Sequence, residues 1–293
     1  MIALLNCRVN NTVSKAHELD ANGNTTNDGV HDFTYNQNQR LITAKVGNDT
    51  VGEYKYDGNG RRIIKTAGGT TTVYHYDLNS ALIGESTATG TPVVDYVYLN
   101  GAPLAQLRDG AVYYYHNDHL MTPKVMTGAN KAVVWNVEFD PFGNEVPGTY
   151  TRTVENNLRF PGQYFDAETG INHNGHRDYD SSTGRYVEAD PIGLRGGRNL
   201  YGYSLNNAVR YYDALGLVPD GGANAGIWGP HGSAPEIRNP EPAWGPRIPC
   251  KGGCHPAGDR KPQPGQPCIK CDENAVMKCW ISKLAHQSLG SVN

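Results

Sequence analysis

Residues 175–217 read GHRDYDSSTGRYVEADPIGLRGGRNLYGYSLNNAVRYYDALGL and hold the pattern Asp-x-x-Gly-Leu twice, from Asp190 to Leu194 and from Asp213 to Leu217. Two carboxylates brought together are equipment for cutting a bond. Asp-Pro and Asp-Ala followed by Gly are also ordinary turn formers. Taken alone, the repeated pattern leaves both readings open.

Two other clusters could do chemistry. Cys250, Cys254 and His255 are followed by Cys268 and Cys271, with Cys279 and His286 further on. Two close cysteine pairs separated by a Pro-rich loop have the spacing of a structural zinc site, in which Cys250, Cys254, Cys268 and Cys271 would complete a tetrahedron. Disulfides and unliganded thiols are the rival readings, and five cysteines in this region leave one unpaired. His116, Asp118 and His119 offer metal-ligand or acid–base types, yet their setting "HNDHLMTP" reads more simply as hydrogen-bonded structure.

The elements that must position these groups are short and β-rich. Gly (35), Tyr (18) and Pro (18) are abundant, whereas Phe (5) and Met (4) are sparse. Segments beginning at Tyr35, Tyr56, Tyr76 and Tyr98 recur about every 20 residues, the mark of a repeat architecture. Each supplies an aromatic to pack, Asp or Asn to fold back on the backbone, and a β-branched run afterwards, so each reads as strand, turn, strand. Stacked hairpins of this kind predict a long antiparallel sheet whose edges must be covered or curled. Tyr113, Tyr114, Tyr115 and Trp135 read as sheet-packing aromatics.

From Val218 the composition changes to a Pro- and Gly-rich, Cys-bearing stretch without usable periodicity, apart from apolar residues at 276, 277, 280, 281 and 284 that predict one short helix. Composition and repeats thus separate an unassigned 1–18, the repeats of 19–111, residues 112–217, and a compositionally distinct 218–293. The 293 residues carry a formal net charge of −3, which argues against general nucleic-acid or anionic-membrane adhesion and leaves nucleic acid open for the tail alone. No apolar run approaches the roughly 18 residues of a membrane span. The start lacks the basic and apolar regions of a classical export signal, so synthesis in the cytoplasm is expected.

The repeats, together with "VYYYHNDHLMTPKVMTGANKAVVWNVEFDPFGN" and "LRFPGQYFDAETGINHNGHRDYDSSTGRYVEADPIGLRGGRNLYGYSLNNAVRYYDALGL", resemble the C-terminal end of Rhs (rearrangement hotspot, Tyr-Asp repeat) proteins over about residues 19 to 217. These are large polymorphic toxins whose repeats wind into a β-cage around a C-terminal effector. The resemblance implies a mainly β fold, with an antiparallel repeat sheet forming part of such a cage, a core domain over 112–217 and a small, irregular, variable tail over 218–293. It implies aspartyl self-cleavage between Leu217 and Val218, with Asp190 and Asp213 as the carboxylate pair and Arg177 as the supporting arginine. In such a pair one carboxyl stays protonated as general acid while the other activates a water. By position, 218–293 is then a released effector, with nuclease activity as the first reading and an immunity protein and a secretion apparatus, type VI or similar, as partners. The core needs no cofactor. The departures are Met121 where Gly is usual, Ser181 where Pro is usual, and Ala214 in place of the second Pro. The rival classes are a non-catalytic orphan remnant and an extracellular binding module.

Overall fold

The computed structural model describes residues 17–148 and 150–219, all within one compact unit that spans residues 1–236. Thirteen strands form one antiparallel sheet in simple chain order, and its first and last strands do not pair. They are β1 (Glu18–Leu19), β2 (Thr25–Asn27), β3 (Asp32–Tyr35), β4 (Leu41–Val46), β5 (Asp49–Tyr56), β6 (Arg62–Ala67) and β7 (Thr70–Tyr76). Next come β8 (Leu82–Thr87), β9 (Pro92–Leu99), β10 (Ala102–Arg108), β11 (Ala111–Asn117), β12 (Pro123–Thr127) and β13 (Val133–Asn136). A second, four-stranded sheet follows: β14 (Gln163–Asp166), β15 (Ile171–Asn174), β16 (Arg177–Asp180) and β17 (Arg185–Tyr186).

The repeat unit has a concrete form. Asn36, Asp57, Asp77, Asp118 and Asp140 each begin a turn in which one side-chain oxygen accepts the backbone N–H groups two and four residues on, at 2.8–3.1 Å. A short acceptor side chain thereby satisfies donors that the hairpin ladder leaves over. The fourth residue of each turn has positive φ: Gln39, Gly60, Ser80, Met121 and Gly143. The preceding tyrosines serve the stacking. Tyr56 donates its hydroxyl to the carbonyl of Leu41, and Tyr76 to that of Arg62, each at 2.8 Å.

Burial explains how the two sheets join. The small sheet is almost wholly buried: its first three strands contain one partly exposed residue, Phe165. Ile171 and Val187 pack with Phe33, Leu41, Ala44 and Tyr54 of the large sheet. Beside that apolar contact, Arg62 of β6 forms two bonds to Asp166 of β14, and Lys65 bonds Asp166 at 2.9 Å and Glu168 at 3.2 Å. Arg62 also lies over the rings of Tyr54 and Tyr74, 5.2 Å from each centroid. Burial works to raise the Asp166 carboxyl, but the Arg62 and Lys65 charges prevail and hold it below its ordinary range. No helix among the described residues is long and apolar enough to cross a membrane.

Candidate active site

Arg177 opens β16 and stands at the centre of the carboxylate pair. Its Nη1 is 3.0 Å from Asp190 Oδ2, and its Nη2 is 3.2 Å from Asp213 Oδ2. The remaining donors go to backbone, with Nε 2.6 Å from the Gly216 carbonyl and Nη1 3.1 Å from that of Leu200. The guanidinium carbon lies 3.6 Å from the centroid of the Tyr186 ring. All three charged side chains are at most 4% exposed. The two copies of Asp-x-x-Gly-Leu, 23 residues apart in sequence, are thus joined through one arginine.

The aspartates are held by the turn chemistry of the repeats. Asp190 Oδ1 accepts the Ile192 amide at 2.9 Å, and Asp213 Oδ1 accepts the Leu217 amide at 2.9 Å. In each case one oxygen shapes the backbone and the other faces Arg177. Tyr186 donates its hydroxyl to Asp213 Oδ2 at 3.0 Å, and Asn174 donates to both the Tyr186 hydroxyl and the Asp213 carbonyl. Burial pushes the Asp190 carboxyl above its ordinary value, with Arg177 and the Ile192 amide opposing. Burial and the Asp213 charge together drive the Tyr186 phenol far up, so it stays a donor.

The Asp213–Leu217 segment is pressed against glycines. A side chain at Gly162 would run into the Ala214 carbonyl, and one at Gly175 would come within 2.5 Å of the Leu215 carbonyl. A Cβ at Gly196 would collide with Asp190 Oδ2 and stand 2.7 Å from the Leu217 carbonyl oxygen. Those two oxygens therefore border the same small space. A protonated Asp190 there can polarise the Leu217 carbonyl, whose carbon is bonded to Val218. The aromatic wall behind is Phe160, Tyr179, Tyr186 and Tyr203, packed with Ala208.

The sequence reading named Arg177, Asp190, Asp213, Leu217 and Val218, and of these the first four stand together here. It missed Tyr186, Asn174 and the three glycines. Tyr186 carried one signal, since residues 186, 188 and 190 share a face in an extended chain. His116, Asp118 and His119 lie in ordinary hydrogen bonds: His116 to Thr127 at 2.9 Å, Asp118 to its own turn, and His119 to the Val209 carbonyl at 2.9 Å. Among the described residues no group of three or more His, Cys, Asp or Glu side chains could hold a metal ion. Cys250, Cys254, Cys268, Cys271, Cys279, His255, His286 and the expected helix lie outside the described residues.

Comparison with known proteins places this architecture. The family model for the Teneurin YD-shell matches residues 8–209. The putative uncharacterized protein YibJ of Escherichia coli is 39% identical over 107 residues, covering 36% of this chain and 46% of that protein. The tRNA3(Ser)-specific nuclease WapA of Bacillus spizizenii is 31% identical over 212 residues, covering 69% of this chain and 9% of its own length. The chain thus spans less than half the length of these relatives. The crystal structure of TcdB2-TccC3-Cdc42 aligns with a TM-score of 0.55 at 20% identity, over 68% of this chain and 11% of that one, which shows a shared fold.

Proposed function

The chain belongs to the Teneurin YD-shell family of Rhs-type, toxin-like repeat proteins, and from that premise we propose that it cuts itself between Leu217 and Val218 to release residues 218–293. The observation that carries this reading is the bridging of Asp190 and Asp213 by one buried arginine, with the Leu217 carbonyl beside Asp190. Asp190, whose carboxyl is biased towards the protonated form by burial, acts as general acid on the Leu217 carbonyl oxygen. Asp213, which faces Arg177 and accepts the Tyr186 hydroxyl, takes a proton from a water that attacks the Leu217 carbon. The C–N bond then breaks, the water's oxygen stays on Leu217, and the proton leaves with the Val218 amine. Tethering the bond to Asp213 makes the step intramolecular, which can supply up to about 7–11 kcal/mol in ideal geometry.

In this reading the repeat sheet is part of an encapsulating cage and the released tail is a small effector delivered to other cells. An immunity protein and a secretion apparatus are its partners, and the WapA relationship makes nucleic acid the first target class to examine. A structural zinc held by Cys250, Cys254, Cys268 and Cys271 remains part of the proposal for the tail, tested by intact mass before and after chelation.

Self-cutting is tested by intact-mass analysis of the purified full-length chain beside Asp190→Asn and Asp213→Asn. The expected result is a break after Leu217 in the wild type and whole chains in both variants. A folded wild type that stays whole would overturn the reading.

A further inference from the structure

Arg40 and Arg61 occupy the same place in successive repeats, four residues after the side chain that begins the turn. Arg61 pairs with its own turn, its Nε 2.8 Å from Asp57 Oδ2, and beyond it reaches the next repeat, with Nη1 3.3 Å from the Asp77 carbonyl and the guanidinium over Tyr76. The Arg40 turn begins with Asn36 instead, so no carboxylate holds that guanidinium at home. Arg40 has no ion-pair partner among the described residues and is buried, 7% exposed. Its Nη2 donates to the Gly60 carbonyl of the next repeat turn and to the Gly175 carbonyl of the small sheet. The guanidinium rests over the Tyr56 ring, 4.8 Å from the centroid.

Gly175 and His176 form the turn between β15 and β16, and the other side of that turn holds the segment to be cut. The His176 amide donates to the Leu215 carbonyl at 2.8 Å, and the Leu215 carbonyl packs against Gly175 where no Cβ would fit. The next residue is Arg177. We propose that Arg40 is a positioning residue for the candidate cutting site, fastening the repeat sheet to the turn that presents Arg177 and holds Leu215 to Leu217. Cutting then depends on a correctly stacked pair of repeat hairpins, because only their union places the Arg40 guanidinium against Gly175. This inference rests on the self-cutting reading for its consequence, whereas the mechanical link itself does not.

The test uses full-length chains carrying Arg40→Ala, Arg40→Lys or, as a control on the neighbouring repeat, Arg61→Ala. Cutting is followed by intact mass, and amide exchange at His176 and Leu217 is followed in an Asp190→Asn background. Arg40→Ala is expected to slow cutting at least tenfold and to speed exchange at both amides, with partial rescue by millimolar methylguanidinium. Arg61→Ala should change neither. Should Arg40→Ala fail to fold, Arg40→Lys, which keeps the charge but loses the fork, is expected to show the same losses in weaker form. Cutting at the wild-type rate by a folded Arg40→Ala chain would overturn the proposal. If the wild type itself stays whole, the self-cutting reading fails, and the exchange data still decide the link: unchanged exchange at His176 and Leu217 would overturn it.

Discussion

Asp57, in a repeat turn, and Asp213, at the end of the core, are built from the same local chemistry and come to opposite ends. In both, Oδ1 accepts the backbone amide four residues on, at 2.9 Å. They differ in what meets the second oxygen. Asp57 Oδ2 meets Arg61 from its own turn, in a pair whose side chains are 20% and 28% exposed. Asp213 Oδ2 meets Arg177, which also holds Asp190, at 2% exposure. A half-buried pair that water still reaches is worth little, whereas two buried carboxylates sharing one guanidinium compete for its charge. A turn residue thus acquires candidate chemistry through burial and through the arginine it shares.

The comparison is broken most severely at the shared arginine. Arg177→Ala leaves two buried carboxylates without a counter-charge and is expected to cost about 3–5 kcal/mol in denaturant unfolding; Arg61→Ala, at its half-buried counterpart, should cost under about 1 kcal/mol. Equal losses at the two sites would remove the distinction. Gly162→Ala tests the backbone side of the same contrast. Its φ of +81° and the Ala214 carbonyl in its path predict a loss of about 1–3 kcal/mol together with slower cutting. The same change at Gly90, where φ is +85° but the space is open, isolates the backbone cost alone.

A smaller effect is expected within the repeats. Asp57→Ala removes two turn hydrogen bonds and the Arg61 pair and should cost about 1–2 kcal/mol, while Asp57→Asn keeps both turn acceptor contacts and should cost less, with cutting unchanged in either. The pH dependence sharpens the contrast in sign. The Asp166 carboxyl is held below its ordinary value of 3.8, so its contribution to stability is present above that value and is lost as pH falls through the folded-state value. The Asp190 carboxyl is raised, so its contribution runs the other way, growing as pH falls and lost as pH rises through the folded-state value. Acid unfolding should be blunted by Asp166→Asn, and the cutting rate should fall with rising pH through a value above 3.8. A cutting rate that climbs steadily from acid to neutral pH would contradict the assignment of Asp190 as the acid.

Much of this was legible in the residues, and the limits have physical causes. The hairpins could be read because each turn is local: Asp57, Gly60 and the β-branched run after them sit within ten residues and need nothing distant. Even Met121, out of place by residue type, occupies the expected turn with a φ of +67°. The site was partly legible, since the family pattern marked Arg177, Asp190 and Asp213. What could not be read was the cradle. Gly162, Gly175 and Gly196 matter because the 213–217 segment passes against them, and that contact is set by how the small sheet folds back on itself. Arg40 was hidden for a related reason. Its turn lacks the carboxylate of the next one, having Asn36 where that has Asp57, and where the released guanidinium goes depends on the packing of one sheet on the other.

The most direct test of the account is to let the full-length wild type, Asp57→Asn, Asp118→Asn, Asp190→Asn and Asp213→Asn mature in ¹⁸O-labelled water and to weigh the fragments. The account predicts that wild type, Asp57→Asn and Asp118→Asn break after Leu217 with one ¹⁸O in the new Leu217 carboxylate, while Asp190→Asn and Asp213→Asn stay whole. A break that persists at the wild-type rate in either of the last two, or a folded wild type that never breaks, would contradict it.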